Sequence, residues 1–172
     1  MSERKDPVRH MLNLALATAL NDLDYYQREL ERATMPEIRA LLIVLEESEE
    51  DLIERIEHMM VAGPLEGVEN SKERKANWES PNEDLFEFAT PFAESIQFQR
   101  WSICNDTLQR SLKSYGFYLS IANRAKSEVV SALFEYLAFL KSKHIKRLRR
   151  VCESFDTSDL TGFSPVLRDA ER

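Results

Sequence analysis

A chain of 172 residues with 43% hydrophobic content can bury one substantial core, so we predict a single domain over residues 1–172. The net charge of −7 argues against a general nucleic-acid binder, because recognition of phosphate requires a basic surface. No stretch approaches the ~20 apolar residues that span a bilayer, and the first residues lack the apolar core of a signal peptide. We therefore expect a cytoplasmic protein without a membrane segment.

Four amphipathic helical patterns follow one another along the chain. Pro7 stands where a first helix would begin, and Pro36 opens the second, because proline fits the first position of a helix. Gly63 and Pro64 end the second pattern, and Ser127 is placed to cap the fourth. We predict helices over about residues 7–33, 36–61, 83–124 and 127–155.

Two segments lack apolar periodicity. Residues 62–82 mix Gly, Pro, Asn and charged residues, which predicts a crossover loop long enough for helices two and three to run parallel. Pro91 is expected to break or kink the beginning of the third helix. Residues 156–172 are polar and predict a loosely docked C-terminal tail.

Apolar residues recur every seven positions on two neighbouring lines of each helix, which is typical of helices packed into a bundle. In the first helix these lines are Leu16, Leu23, Leu30 and Leu12, Ala19, Tyr26, Ala33. Near the middle of the other three helices the lines are interrupted by polar residues, namely Glu49, Ser111, Lys141 and His144. The sequence therefore predicts an all-α four-helix bundle with a polar centre.

The two cysteines, Cys104 and Cys152, lack the CxxC spacing of a zinc site or of a rubredoxin-type iron site. We interpret them as reduced thiols in the core.

Three segments resemble the rubrerythrin branch of the ferritin-like superfamily. They are residues 117–122 (FYLSIA), 133–138 (LFEYLA) and 144–148 (HIKRL). The resemblance extends over about residues 8–61 and 92–155. It implies a ferritin-like four-helix bundle with a long crossover between helices two and three.

The resemblance also implies positions for metal ligands in helices one and three. The family carries a glutamate seven residues before a tyrosine in each of these helices. Counting back from Tyr26 leads to Ala19, and counting back from Tyr118 leads to Ser111. Neither residue is a carboxylate, so both positions have lost their implied ligand.

Helices two and four of the family each carry a Glu-x-x-His pair, which places two ligands on one helix face. The matching positions are Glu49 with Leu52 in helix two, in a register that could slip by one residue, and Lys141 with His144 in helix four. Glu49 and His144 thus keep the identity of a ligand. We expect no bound metal, with a site on Glu49 and His144 as the alternative.

An ammonium at position 141 would lie where the resemblance places the cations. Because a buried carboxylate and a buried ammonium each cost several kcal/mol to desolvate, we predict a salt bridge between Lys141 and Glu49. His144 and the hydroxyl groups of Ser111, Tyr26 or Tyr118 would complete the hydrogen bonding of this core. The alternative is that Lys141 extends to solvent.

Two classes of function follow from the resemblance. The first is a non-catalytic bundle protein that acts through partner binding, assembly or regulation, without a cofactor. The second is a divergent di-iron oxidoreductase or iron-binding protein, which would require another electron donor because the chain lacks the C-terminal CxxC pairs of full rubrerythrins. Metal content distinguishes the two.

The surface of the predicted helices suggests partners. The helices carry more apolar side chains than one buried helix face requires, which predicts a homodimer. These side chains are Phe98, Phe117, Tyr136, Phe139 and Leu140. The acidic row Glu47, Asp51, Glu54 and His58 could gather a cation, but a solvated helix face is the commoner use of such a row. We expect neither nucleic acid nor membrane as a partner.

Overall fold

The computed structural model of the chain describes residues 7–63 and 96–161, and in the second range the side chains of residues 98–155. Four α-helices form these parts, namely α1 (Pro7–Arg32), α2 (Pro36–Ala62), α3 (Ile96–Arg124) and α4 (Glu128–Thr161). The two described ranges contain no β-strand. The prediction of an all-α chain with four helices is confirmed for this part of the sequence.

The helix ends are explained by local chemistry. Proline stands at the first position of α1 and of α2, where a backbone N–H has no helical partner to lose. Gly63 ends α2 with a positive φ of 102°, and its N–H donates to the Met59 carbonyl at 3.0 Å. Ser127 caps α4 as predicted, because its hydroxyl accepts a hydrogen bond from the Val130 N–H at 3.4 Å.

The last helix is longer than its sequence pattern predicted. Residues 156–161 continue α4 to Thr161, so the expected tail does not begin at residue 156. Residues 162–172 lie outside the described ranges. The same holds for the predicted crossover after Gly63 and for residues 83–95, which were assigned to the third helix.

Side-chain contacts between α1 and α3 give the relative direction of these two helices. Tyr26 contacts Ser111, whereas Asp22, one turn earlier in α1, contacts Ser114, which lies later in α3. Residue numbers therefore rise in opposite directions, and α1 and α3 are antiparallel.

Helices α2 and α4 are antiparallel by the same argument. Glu49 contacts Lys141, and Arg55, further along α2, contacts Tyr136, which is earlier in α4. Because short turns join α1 to α2 and α3 to α4, those pairs are antiparallel as well. Helices α2 and α3 consequently run in the same direction.

The beginnings of α2 and α3 lie at the same end of the bundle. Arg100, in the first turns of α3, donates to Glu37, in the first turn of α2, at 3.4 Å. Helix α2 therefore ends at the opposite end from the one where α3 begins. Parallel α2 and α3 are the arrangement for which a crossover was predicted, although the connection itself is outside the described residues.

In α1 the core follows one of the two predicted lines and departs from the other. Leu12, Ala19 and Tyr26 are almost completely buried, as predicted. The line through Leu16, Leu23 and Leu30 is wrong, because these residues are only partly buried. Ala15 and Asp22 occupy the buried face of α1 instead. Burial in α1 alternates three and four residues apart, at positions 12, 15, 19, 22 and 26, which is the spacing of a bundle seam.

The interpretation of the cysteines as reduced thiols is wrong. Cys104 of α3 and Cys152 of α4 form a disulfide, and both residues are buried. The antiparallel packing of α3 and α4 brings their Cα atoms to 6.0 Å, a separation that a disulfide spans. Spacing along the chain excluded a metal site, but it carried no information on pairing across two helices.

Two predictions about the surface bear on partners. Within the described ranges, none of the helices combines the length and the apolar character required to cross a bilayer. Phe139 and Leu140, assigned to a dimer surface, are buried within the chain, whereas Phe117 is exposed and Phe98 and Tyr136 are half-buried. The homodimer stays a prediction, and Phe139 and Leu140 are not available to form its surface.

Candidate functional site: a buried polar centre

An ammonium lies in the middle of the bundle between carboxylates from two other helices. The Lys141 Nζ of α4 donates to the Glu49 Oε1 of α2 and lies 3.6 Å from the Asp22 Oδ2 of α1. Lys141 is 1% exposed, Glu49 2% and Asp22 3%. The predicted salt bridge between Lys141 and Glu49 is therefore present in the structure, and the alternative in which Lys141 extends to solvent is wrong.

Asp22 was absent from the predicted site, yet it accepts more contacts than any predicted residue. The Ser114 hydroxyl donates to its Oδ2 at 2.6 Å, and the Arg110 Nη1 donates to its Oδ1 at 3.2 Å. Two carboxylates, Asp22 and Glu49, thus face two cations, Lys141 and Arg110. This balance of charge allows Asp22, Glu49 and Lys141 to be buried in the bundle, with Arg110 at its edge.

Hydroxyl groups line one side of this centre. The Tyr26 and Ser111 hydroxyls are 3.2 Å apart and hydrogen-bonded to each other, while the Glu49 Oε2 stays without a hydrogen-bond partner among the described residues. Tyr118 is fully buried, and its ring packs 6.1 Å from the Phe134 ring. The Tyr118 hydroxyl has no hydrogen-bond partner among the described residues, so its expected role in completing the network is not seen.

The other implied ligand positions do not join the polar centre. Ala19 and Leu52 are fully buried parts of the apolar core. His144 is partly exposed, and its Nδ1 has no hydrogen-bond partner among the described residues. Of the six positions that the resemblance assigned to metal ligands, Glu49 and Lys141 are in direct contact. That these six positions once held a metal stays a prediction.

Burial and neighbouring charges act against each other on the pKa values of the centre. Burial lowers the pKa of Lys141, but the Glu49 carboxylate and its neighbours outweigh that effect and raise the pKa above its usual value. Burial raises the pKa of Glu49, and the ammonium opposes the rise. Burial raises the pKa of Tyr26 to about 12. Lys141 is therefore protonated and Tyr26 neutral near pH 7.

His144 is expected to make the protein less stable in mild acid. Burial, followed by the Lys141 ammonium, lowers its pKa from 6.5 to about 4. Between these two values the unfolded chain binds a proton that the folded chain does not, so the stability present above pH 6.5 is lost as the pH falls to 4. The variant His144→Gln, whose side chain does not titrate, should lack this decline, which amounts to about 3 kcal/mol for a pKa difference of this size. Urea unfolding of both proteins across this interval measures the difference, and parallel pH profiles would contradict the assignment.

Metal-ligating side chains do not converge at this centre. Among the described residues, no three His, Cys, Asp or Glu side chains are grouped so that they could hold one metal ion. The acidic row on α2 is solvent-exposed, and Asp51 there forms an ion pair with Arg55 at 3.0 Å. This row has the geometry of an ordinary solvated helix face.

Comparisons of the chain with protein-family models, with curated proteins and with solved structures gave no match. The chemistry available to the polar centre therefore follows from its own side chains.

Proposed function

We propose that this chain is a non-catalytic, ferritin-like bundle protein, similar to rubrerythrins, in which buried ion pairs stand in place of a di-iron site. The observation that carries the proposal is the position of Lys141. Its ammonium contacts carboxylates from α1 and α2 in the centre of the bundle. In the family that the sequence resembles, carboxylates from opposing helices hold the metal ions at this level.

The directions of the helices support the same proposal. Each of the four neighbouring helix pairs described above is antiparallel, and α2 and α3 are parallel. A ferritin-like bundle with its long crossover has this arrangement, whereas a simple up-and-down bundle joined by short loops would place α2 and α3 antiparallel.

The donor groups do not fit a pair of iron ions. Both oxygens of Asp22 and one oxygen of Glu49 are engaged by cations or by a hydroxyl. An ammonium among these oxygens repels a divalent ion and neutralises the charge that would attract one. His144 contributes no contact to the centre.

The same groups are poorly suited to acid–base or nucleophilic catalysis. A lysine acts as a base or nucleophile when its pKa is lowered towards neutrality, whereas the pKa of Lys141 is raised. Its carboxylate partners are held in ion pairs. We therefore assign the function to partner binding, assembly or regulation, with a homodimer in the cytoplasm as the expected form.

One observation favours the alternative of a divergent iron-binding protein. The Glu49 Oε2 and the His144 Nδ1 are buried and have no hydrogen-bond partner among the described residues. These atoms belong to the two positions that keep the identity of a ligand. Iron on this pair would give a site with too few protein ligands to be closed, so it is the second candidate.

Elemental analysis of the purified protein separates the two functions. We expect no stoichiometric iron, manganese or zinc, because the Lys141 ammonium contacts both carboxylates and repels a divalent cation. The matched variants Glu49→Ala and Glu47→Ala distinguish the centre from the exposed acidic face. One or two tightly bound metal ions per chain, lost in Glu49→Ala and retained in Glu47→Ala, would overturn the proposal in favour of the alternative.

A further inference from the structure

A polar groove runs between α1 and α3 and reaches the buried centre from outside. The groove is open to solvent and has a volume of about 580 Å³. Asp22 and Ser114 form its buried floor, while Tyr25, Arg110 and Phe117 are among the residues on its walls. The volume is within the range of small-molecule sites.

Arg110 is held in a fixed position on the wall of this groove. Its Nη1 donates to the Asp22 carboxylate at 3.2 Å, and its guanidinium carbon lies 3.9 Å from the centre of the Tyr25 ring. A guanidinium has five N–H donors, and the contact with Asp22 uses one of them. The side chain is 29% exposed and lines the groove. A guanidinium held in place in this way has paired N–H donors whose spacing matches the two oxygens of a carboxylate.

Two further residues give the groove its chemical character. Lys113 follows Arg110 by three positions, which places both cations on one face of α3. Phe117 lies one turn beyond Lys113 and is 38% exposed, so its ring is accessible to a ligand in the groove. The groove therefore presents two cations, Arg110 and Lys113, next to an exposed aromatic side chain. It also holds two carboxylates, Asp22 and Asp106, and Asp106 lies one turn before Arg110 on α3.

We propose that this groove binds a small organic acid. Its carboxylate would be held by Arg110 and Lys113, and its apolar body would cover the Phe117 ring. The proposal does not depend on the ferritin-like assignment, because it rests on the contacts of α1 and α3 alone.

Titration of the isotope-labelled protein with benzoate, followed by two-dimensional amide NMR, tests the site. We expect saturable shifts confined to residues 18–25 and 106–117, with a Kd of about 1 mM for a ligand of this size. Benzyl alcohol, which has the same ring without the charge, should cause no saturable shift. Shifts spread over the whole chain, or equal effects of both compounds, would overturn the proposal.

Three variants locate the binding. Lys113→Gln should weaken benzoate binding about tenfold, because a charge-assisted hydrogen bond is lost. Phe117→Ala should weaken benzoate and leave the weaker binding of acetate unchanged. Lys126→Gln, an exposed lysine outside the groove, is the control and should bind benzoate as the unmodified chain does. Equal weakening by Lys113→Gln and Lys126→Gln would show that only surface charge is at work and would reject the site.

Discussion

Replacing Lys141 by Met is expected to lower the free energy of unfolding by about 3–5 kcal/mol, since it leaves two buried carboxylates without their ammonium. The exposed fraction of Lys141 is 1%, so water cannot take over its role. Glu49→Leu alone should cost a similar amount, because it leaves the ammonium with the more distant Asp22 at 3.6 Å.

The double variant is expected to recover most of the loss. With both charges replaced by apolar residues of similar volume, the desolvation penalty disappears, and Asp22 keeps its contacts with Arg110 and Ser114. Denaturant unfolding of the four proteins in this cycle gives the coupling energy directly.

Exposed neighbours provide matched controls for this cycle. Lys143→Met and Glu50→Leu change the same residue types, one or two positions away on the outer faces of α4 and α2. Each should alter stability by less than about 1 kcal/mol. A coupling energy below about 0.5 kcal/mol between Lys141 and Glu49 would reject the buried ion pair, while leaving the four helices intact.

The pairing of Lys141 with Glu49 was predicted from the resemblance to rubrerythrins, whose helix-two and helix-four carboxylates bind the same metal ions. Heptad spacing predicted the four helices and placed Glu49 and Lys141 on the seams of α2 and α4, both near mid-helix. It missed Asp22 because the apolar residues Leu16, Leu23 and Leu30 offered a more hydrophobic line beside the true one. Ala15, a small residue seven positions before Asp22, was the indication in the sequence that this line of α1 faces the core.

The remaining contacts of the centre depend on packing between helices that sequence periodicity does not specify. Arg110 lies at the edge of the buried face of α3. It reaches Asp22 because of the way α3 is rotated about its own axis relative to α1. The positions of the two cysteines in the sequence gave a weak indication of the disulfide. Cys104 and Cys152 lie within about one helical turn of equal distance from the turn at residues 125–127, which brings them to a similar level of an antiparallel helix pair.

Loss of that disulfide is expected to be the second large effect. The bond closes a loop with a sequence separation of 48, and chain entropy for a loop of this size corresponds to about 4 kcal/mol of stability at 25 °C. The double variant Cys104→Ala/Cys152→Ala should lose approximately this amount in urea unfolding. Because each cysteine is only 1% exposed, the native protein should resist a dithiol reductant until it is partly unfolded.

Unfolding with and without reductant provides the control for the disulfide. The midpoint of the unmodified chain should fall when reductant is present, and that of the double alanine variant should not change. Two equivalents of a thiol reagent bound by the urea-unfolded, unreduced protein would contradict the bond. Disulfides are rare in the cytosol, so the same thiol assay on protein trapped in intact cells also tests the cytoplasmic expectation: a blocked pair there would favour an oxidising compartment.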